Sequence, residues 1–413
     1  MKGVGSLGNK TAALVLGLFL GVAEARDDET LQPLAARPLP ASEVGLPHDG
    51  FYVPSTTETV RWGVLPNRDA EPILAVASGS VVTFDTVSHE GILEDQGRDP
   101  VAYFARHGVA ADGVLQDAVA IAGSSLAHDF ASDGPHVVTG PVAIEGARVG
   151  DVLRIETLSL TPRAPYGVIS NRHGKGTLPG EFPENDGPAP GASAERPELY
   201  NNVSVFVKVD DSSDGAYGVI ENAPQEPIRF PLSPFMGILG VAPDTSDRVH
   251  SVPPDVYGGN LDINELGVGS TLYLPVLVPG ALFYTGDPHY AQGDGEVALT
   301  ALEAPLRARF RLTILRTGAQ EIPRSSRPFT HPFAETPDAW IAIGLNSDLD
   351  EAMKQAVRQA IAFLSDSLGM DRAIAYAYLS AAADFEVSQV VDRTKGVHAI
   401  VRKRDFVHIH TKR

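Results

Sequence analysis

The sequence predicts an α+β, β-rich fold: a mostly antiparallel β body with a C-terminal helical hairpin and a terminal strand. Three observations carry this expectation. Up to about Arg316, apolar residues recur with a period of two, the mark of half-buried strands. The chain holds 40 glycines and 32 prolines, which suits many turns better than a helical body. After Ser347 the period lengthens to three and four. Strands do not alternate with long helices, which disfavours a doubly wound parallel sheet.

Taken in order, Val82, Phe84 and Thr86 alternate with Val81, Thr83, Asp85 and Val87, giving a first clear strand. In 151–158, Leu153 and Ile155 alternate with Arg154 and Glu156. In 202–209, Val203, Val205, Val207 and Val209 share one face. A further strand runs through Leu272, Leu274, Val276 and Val278 and is expected to end in a Gly-rich loop. In 306–314, Leu306, Ala308, Phe310, Leu312 and Ile314 oppose Arg307, Arg309 and Arg311. The stretch P-G-E-F-P-E-N-D-G-P-A-P-G (179–191) reads as an exposed loop. Ser347 with Asp350 resembles a capping box, and Leu349, Met353, Val357, Ile361 and Leu364 form the apolar stripe of the helix behind it. Gly369 stops that helix, and Asp371 caps a second one through Leu379. V-H-A-I-V (397–401) returns to strand.

Charge and composition narrow the function. A net charge of −19 over 413 residues argues against nucleic acid and against an anionic membrane surface. With no cysteine, disulfides, thiolate metal sites and cysteine nucleophiles are excluded. Lys2 and Lys10 precede a short apolar run, 11–23, and an A-E-A segment at 23–25. That pattern reads as a cleaved signal peptide over 1–25, with an uncleaved anchor as the alternative; cleavage implies a periplasmic or extracellular protein with no stable membrane association afterwards. Residues 26–55 read as an extended arm, 56–402 as the body of the protein and 403–413 as a C-terminal tail.

The chain has no phosphate-binding G-x-x-x-x-G-K-[ST], no G-x-S-x-G and no H-E-x-x-H. Histidine and carboxylate clusters remain. The densest lies in 287–296, where Asp287, His289, Gln292, Asp294 and Glu296 sit among Gly286, Gly293 and Gly295. Oxygen and imidazole groups so placed suit a divalent cation. The plain alternatives are a solvated acidic turn or a structural calcium loop. His89 and Glu90 lie just past the end of the first strand, where active-site groups are often displayed, or form a surface pair. His136 precedes a β-like run, and Glu145 lies between Ile144 and Gly146. If buried there, Glu145 would suit a general base; the commoner fate of Glu is to face solvent. In S-N-R-H-G-K-G (170–176), Asn171 and His173 are candidate donors, although a polar loop is the simpler reading.

Several longer strings resemble the acetamidase/formamidase family. They are P-F-M-G-I-L-G-V-A-P (234–243), P-P-D-V-Y-G-G-N-L-D (253–262), G-S-T-L-Y-L-P-V (269–276) and, most specifically, G-A-L-F-Y-T-G-D-P-H-Y-A-Q-G-D-G-E-V (280–297). Shorter supporting pieces are E-T-V-R-W-G (58–63), T-G-P-V-A-I-E-G-A-R-V-G-D-V-L (139–153) and K-G-V-H-A-I-V (395–401). The resemblance spans roughly residues 55–402. It implies hydrolysis of a small linear carboxamide to carboxylate and ammonia by a metal-activated water, in a homo-oligomer. The implied cofactor is a divalent metal ion, zinc first, with calcium or magnesium open.

Matched position by position, the polar residues are Asn260, Asp262, Asp287, His289, Gln292, Glu296 and Glu145. The expected roles are Asp262 and His289, joined by His89 from the strand end, as metal ligands, Glu296 or Glu145 as proton carrier, and Asn260 or Gln292 as donor to the oxyanion. T-V-S-H-E-G-I (86–92) departs from the D-A-x-x-G-G-Q-like stretch of many relatives, so His89 or Glu90 stands where another group is usual. Two other readings stay open: a non-catalytic, metal-stabilised β-rich binding protein on the same scaffold, and a hydrolase of another C–N bond, in a cyclic amide or urea-like compound.

Overall fold

The computed structural model describes residues 30–326 and 328–408. The expected signal segment, 1–25, lies outside them. The β-rich expectation holds: two large, mostly antiparallel sheets pack face to face, with a helical pair near the C-terminus. In the first sheet the long strand Leu306–Leu315 lies between Ser80–Asp85 and Val152–Pro162. The same sheet ends on Ala339–Asn346, Lys395–Arg402 and Asp384–Gln389. In the second, Phe283–Ala291 lies among Phe235–Val241, Val137–Ile144 and the short Leu302–Glu303.

Alternation explains the packing. Leu306, Ala308, Phe310 and Leu312 are buried, while Arg307, Arg309 and Arg311 point away from the core. Phe84 and Phe310 of the first sheet meet Phe283 of the second, with ring centroids 5.6 and 5.8 Å away. In Val203–Ser212 only Val207 is buried, because this strand belongs to a ribbon that pairs with Tyr166–Asn171 and Gly215–Ile220 at the outer part of its sheet.

The helices occupy Leu349–Asp366 and Arg372–Ala382. The first is capped by Asp348, whose side chain accepts from the Glu351 N–H, and not by Ser347. Asp371 caps the second, as the sequence predicts. The first helix lies hard against Ala339–Asn346. A Cβ on Gly344 would stand 2.0 Å from the Ala352 carbonyl oxygen, so only glycine permits this approach.

The arm before residue 55 is tied down. The Arg163 guanidinium is fully buried, donates to the Leu31 and Thr86 carbonyls at 3.0 Å and to Asp117 Oδ2 at 2.8 Å, and lies 3.4 Å from Asp85 Oδ2. Removing one partner of such a pair leaves a buried charge under-compensated. Asp117→Ala is therefore expected to destabilise the protein by about 3 kcal/mol, the low end for a broken buried pair because Asp85 remains. Denaturant unfolding checks this; an unchanged midpoint would mean Arg163 needs only Asp85.

Candidate active site

The site is built by sheet register. Asp287 and His289 both lie on Phe283–Ala291, and their side chains meet in one buried cluster. The glycines at 286, 293 and 295 predict a loop for both, and the structure differs. Pairing with Phe235–Val241 on one side and, up to Gly286, with Val137–Ile144 on the other keeps the segment within a strand that kinks at Asp287. Glu303 is the direct cross-strand partner of His289. Gly286 pairs with Val138, which brings His136, one residue before that strand begins, up to Asp287. His89 arrives from the chain just past Ser80–Asp85.

The resulting contacts are close. Asp287 Oδ1 lies 3.6 Å from both His89 Nδ1 and His136 Nε2. His289 Nε2 lies 3.1 Å from both Asp287 Oδ2 and Glu303 Oε1. Behind it, His289 Nδ1 faces Asp262 Oδ1 at 4.0 Å. Gly237 leaves the room for this: a Cβ there would meet Asp262 Oδ1 at 2.5 Å, Asp287 Oδ2 at 2.6 Å and His289 Cε1 at 2.8 Å. Asp262, Asp287 and Glu296 all hold left-handed backbone, with φ of 51°, 54° and 48°. Three strained non-glycine residues converging here fit the rule that strain concentrates at functional sites.

Beside the cluster is a cavity of about 390 Å³, lined by His89, His136, Asp287, Glu296, Glu303 and Asp392 among others. Five carboxylates, Asp262, Asp287, Glu296, Glu303 and Asp392, are buried here with three histidines. Burial, with Asp392, Glu303 and Asp287 around it, holds the Glu296 carboxyl well above the usual range. Asp262 is raised by burial and then by Glu296 and Asp392. Burial pushes Asp392 up to about 7.

Both ring nitrogens of His89 and His289, Asp262 Oδ1, Asp287 Oδ1 and Glu303 Oε2 are buried without a hydrogen bond. Three ligand sets have their donor atoms within 4.8 Å of one another: His89–His136–Asp287, Asp287–His289–Glu303 and Asp262–His289–Glu296. Surplus buried negative charge with unpaired imidazole nitrogens fits a divalent cation. Of the three sets, the first has all its members on the cavity wall. Its outer partners fit as well: His136 Nδ1 lies 3.0 Å from Ser251 Oγ, and His89 Nε2 lies 3.2 Å from Glu90 Oε1.

The sequence-predicted residues separate accordingly. Asp262, His289 and Glu296 come together. His89 enters the site but faces Asp287 and His136, since the Asp287 carboxylate stands between it and the Asp262 side. Glu145 sits exposed on the turn after Val137–Ile144, away from the cavity. Asn260 spends both amide hydrogens on carboxylates, Asp262 Oδ2 at 2.7 Å and Asp392 Oδ2 at 3.0 Å, so it orients them and has no donor left for an oxyanion. Gln292 likewise donates to the Asp262 and Ser388 carbonyls and lies outside the cavity. His173 turns to Asn185 and Asn201; its neighbour Arg172 lines the cavity instead. Glu303 and Asp392 are not singled out by the sequence, though Glu303 is a lone carboxylate among apolar neighbours in A-L-E-A; Asp392 stands at the polar end of V-V-D-R.

Glu90 serves Arg172. It lies 3.1 Å from the guanidinium, accepts from Ser170 Oγ at 2.7 Å and also accepts from Gln96 Nε2. Burial alone would raise the Glu90 pKa; Arg172, His89 and Ser170 outweigh it and hold the carboxyl well below the carboxylate range. A carboxyl depressed on folding stabilises the protein above its unfolded pKa and loses that contribution as the pH falls. Stability is therefore expected to drop below about pH 4.5, and Glu90→Gln to flatten that dependence. Unfolding midpoints between about pH 5 and pH 3 check this; parallel curves for both proteins would contradict it.

Comparison with known proteins agrees with the motifs. Residues 245–402 match the sequence profile of the Acetamidase/Formamidase family. Among curated proteins, the chain is 24% identical over 253 residues to an acetamidase of Mycolicibacterium smegmatis, covering 52% of this chain and 62% of that one. It is 26% identical over 253 residues to a formamidase of Methylophilus methylotrophus, covering 53% and 61%. A putative formamidase of Schizosaccharomyces pombe is 28% identical over 228 residues, covering 46% and 54%. The chain thus spans little more than half the length of the curated relatives it matches. The fold is shared more widely: an acetamidase structure from Bacillus halodurans superposes with a TM-score of 0.65 at 24% identity, over 87% of this chain and 100% of that one. An acetamidase structure from Yersinia enterocolitica gives 0.65 at 23%, over 88% and 96%. The matched segment, 245–402, supplies Asp262, Asp287, His289, Glu296, Glu303 and Asp392.

Proposed function

We propose that this protein is an amidase that hydrolyses a small linear carboxamide to a carboxylate and ammonia. One observation carries the reading: His89 Nδ1, His136 Nε2 and Asp287 Oδ1 converge on the wall of a cavity of about 390 Å³ that Glu296 also lines. Those three residues would hold a divalent cation, zinc by ligand type. When bound, it supplies polarisation of the amide carbonyl and a lowered pKa for water.

The chain's own groups do the rest. Ammonia leaves only when protonated, so a proton must move from the attacking water to the nitrogen. Glu296, with its raised proton affinity, suits both halves of that transfer. Asn260 fixes Asp262 and Asp392 beside it. Glu90 and Asp95 grip Arg172, at 3.1 and 2.7 Å, and so present a rigid cation to the cavity.

The test is ammonia release from a panel of short linear amides, with a cyclic amide and urea as controls. Turnover of the linear amides, suppressed by a chelator, supports the reading. Turnover confined to the controls would replace it with another C–N hydrolase, and silence throughout with a binding protein.

We propose also that the mature chain works outside the cytoplasm, as a homo-oligomer. The pattern at 1–25 supports export. N-terminal sequencing of the expressed protein is expected to begin at Arg26; a retained Met1 would contradict it. Among the described residues no helix is long and apolar enough to cross a membrane.

A further inference from the structure

A second cluster of ligand-type side chains lies outside the cavity. Glu265, Asp294, Glu386 and His398 bring one donor atom each within 4.8 Å of one another. Register accounts for half of it, since Glu386 and His398 are direct cross-strand partners. His398 is fully buried; Glu265 and Glu386 are half-buried and Asp294 exposed, so the cluster opens to solvent.

We propose that these four residues form a cation site of their own, taking a first-row divalent cation such as zinc. The imidazole carries the argument. His398 Nδ1 lies 2.8 Å from Ser388 Oγ, which fixes the ring and leaves Nε2 aimed at the carboxylates. Nε2 stands 3.0 Å from Glu265 Oε2 and 3.5 Å from Glu386 Oε2, without the alignment a hydrogen bond needs. Glu265 Oε2 is likewise buried without a partner. Among the described residues, no lysine or arginine pairs with Glu265, Asp294 or Glu386. A ring held at one nitrogen, with the other facing carboxylates, is the arrangement of a metal-ligating histidine. One imidazole with three carboxylates favours zinc or manganese over calcium or magnesium. Ligands about 2.1 Å from a cation sit about 3.4 Å apart, so small side-chain rotations would close the set.

Its position gives such a cation a task. Glu265 lies three residues after Asp262, Asp294 two before Glu296, and Glu386 six before Asp392. The same three segments are already laced together: Gln292 bonds the Asp262 and Ser388 carbonyls, Gly295 N–H donates to Ser388 O at 3.2 Å, and Val390 N–H to Gly295 O at 3.3 Å. A cation at the cluster would pin from outside the segments that carry Asp262, Glu296 and Asp392 inside. It would be a positioning device.

The experiment soaks crystals of the full protein in zinc chloride and records anomalous scattering at the zinc edge. Density is expected about 2.0–2.2 Å from His398 Nε2 and from carboxylate oxygens of the cluster. Equilibrium dialysis against zinc should show about one fewer ion per chain in Glu386→Gln, and in His398→Asn if that buried variant folds. Absence of density at the cluster under saturating zinc overturns the proposal, whatever is found between His89, His136 and Asp287, and leaves a proton as the partner of His398. Unchanged zinc stoichiometry in Glu386→Gln overturns it equally.

Discussion

Glu296→Gln is expected to lower kcat for amide hydrolysis by about 10²–10⁴-fold, the usual contribution of a positioned acid–base group. Glutamine keeps the shape of the side chain but cannot carry the proton. Stability should not fall with activity. Glu296 is buried among Asp392, Glu303 and Asp287, surroundings that disfavour its charged form, so a neutral amide of the same shape fits there. The variant is expected to unfold at the wild-type temperature or above it. Loss of turnover without loss of stability separates a chemical role from a structural one. Wild-type turnover in the folded variant would remove Glu296 from the reaction and leave Asp392 or Asp262 as the proton carrier.

His136→Ala is expected to lose both the cation and the activity. It deletes one of three donors that face one another across 3.6 Å contacts, and leaves Asp287 Oδ1 with His89 alone. Removing an outer partner of a ligand typically costs 10–100-fold in metal affinity or activity. Removing the ligand itself should cost more than about 100-fold, and Ser251→Ala, which frees His136 Nδ1, should fall inside that range. Metal content after dialysis and ammonia release under saturating amide measure the two effects. A folded His136→Ala that retains metal and turnover would shift the centre to Asp287, His289 and Glu303.

Local pattern carried the parts of this fold that depend on local pattern. The alternation in 306–314, the helix stop at Gly369 and the Asp371 cap are all present as read. Asp262, His289 and Glu296 could be singled out because polar residues and glycines crowd together around them. What sequence could not supply is register. Whether Gly286 and Pro288 break a chain or ride within a strand depends on two partner strands far away in sequence. His136 reaches Asp287, and Glu303 reaches His289, only through such pairings. Asp392 comes from the C-terminal part of the chain and meets Asn260 across 132 residues. Donor accounting was equally hidden. Asn260 and Gln292 are the right residue types for an oxyanion donor, but their hydrogens are committed elsewhere. Asp294, read as one more ligand of the same site, turns outward to Glu265, Glu386 and His398.

The most direct measurement is a titration. The purified protein is stripped of metal, zinc is added back in steps, and ammonia release from acetamide or formamide is followed at each step, in wild type and in Asp287→Asn. Turnover in the wild type should climb from background as the first ion binds, with the variant silent over the same range. Full turnover in the stripped protein, or equal recovery in Asp287→Asn, would contradict a cation-assisted amidase centred on His89, His136 and Asp287.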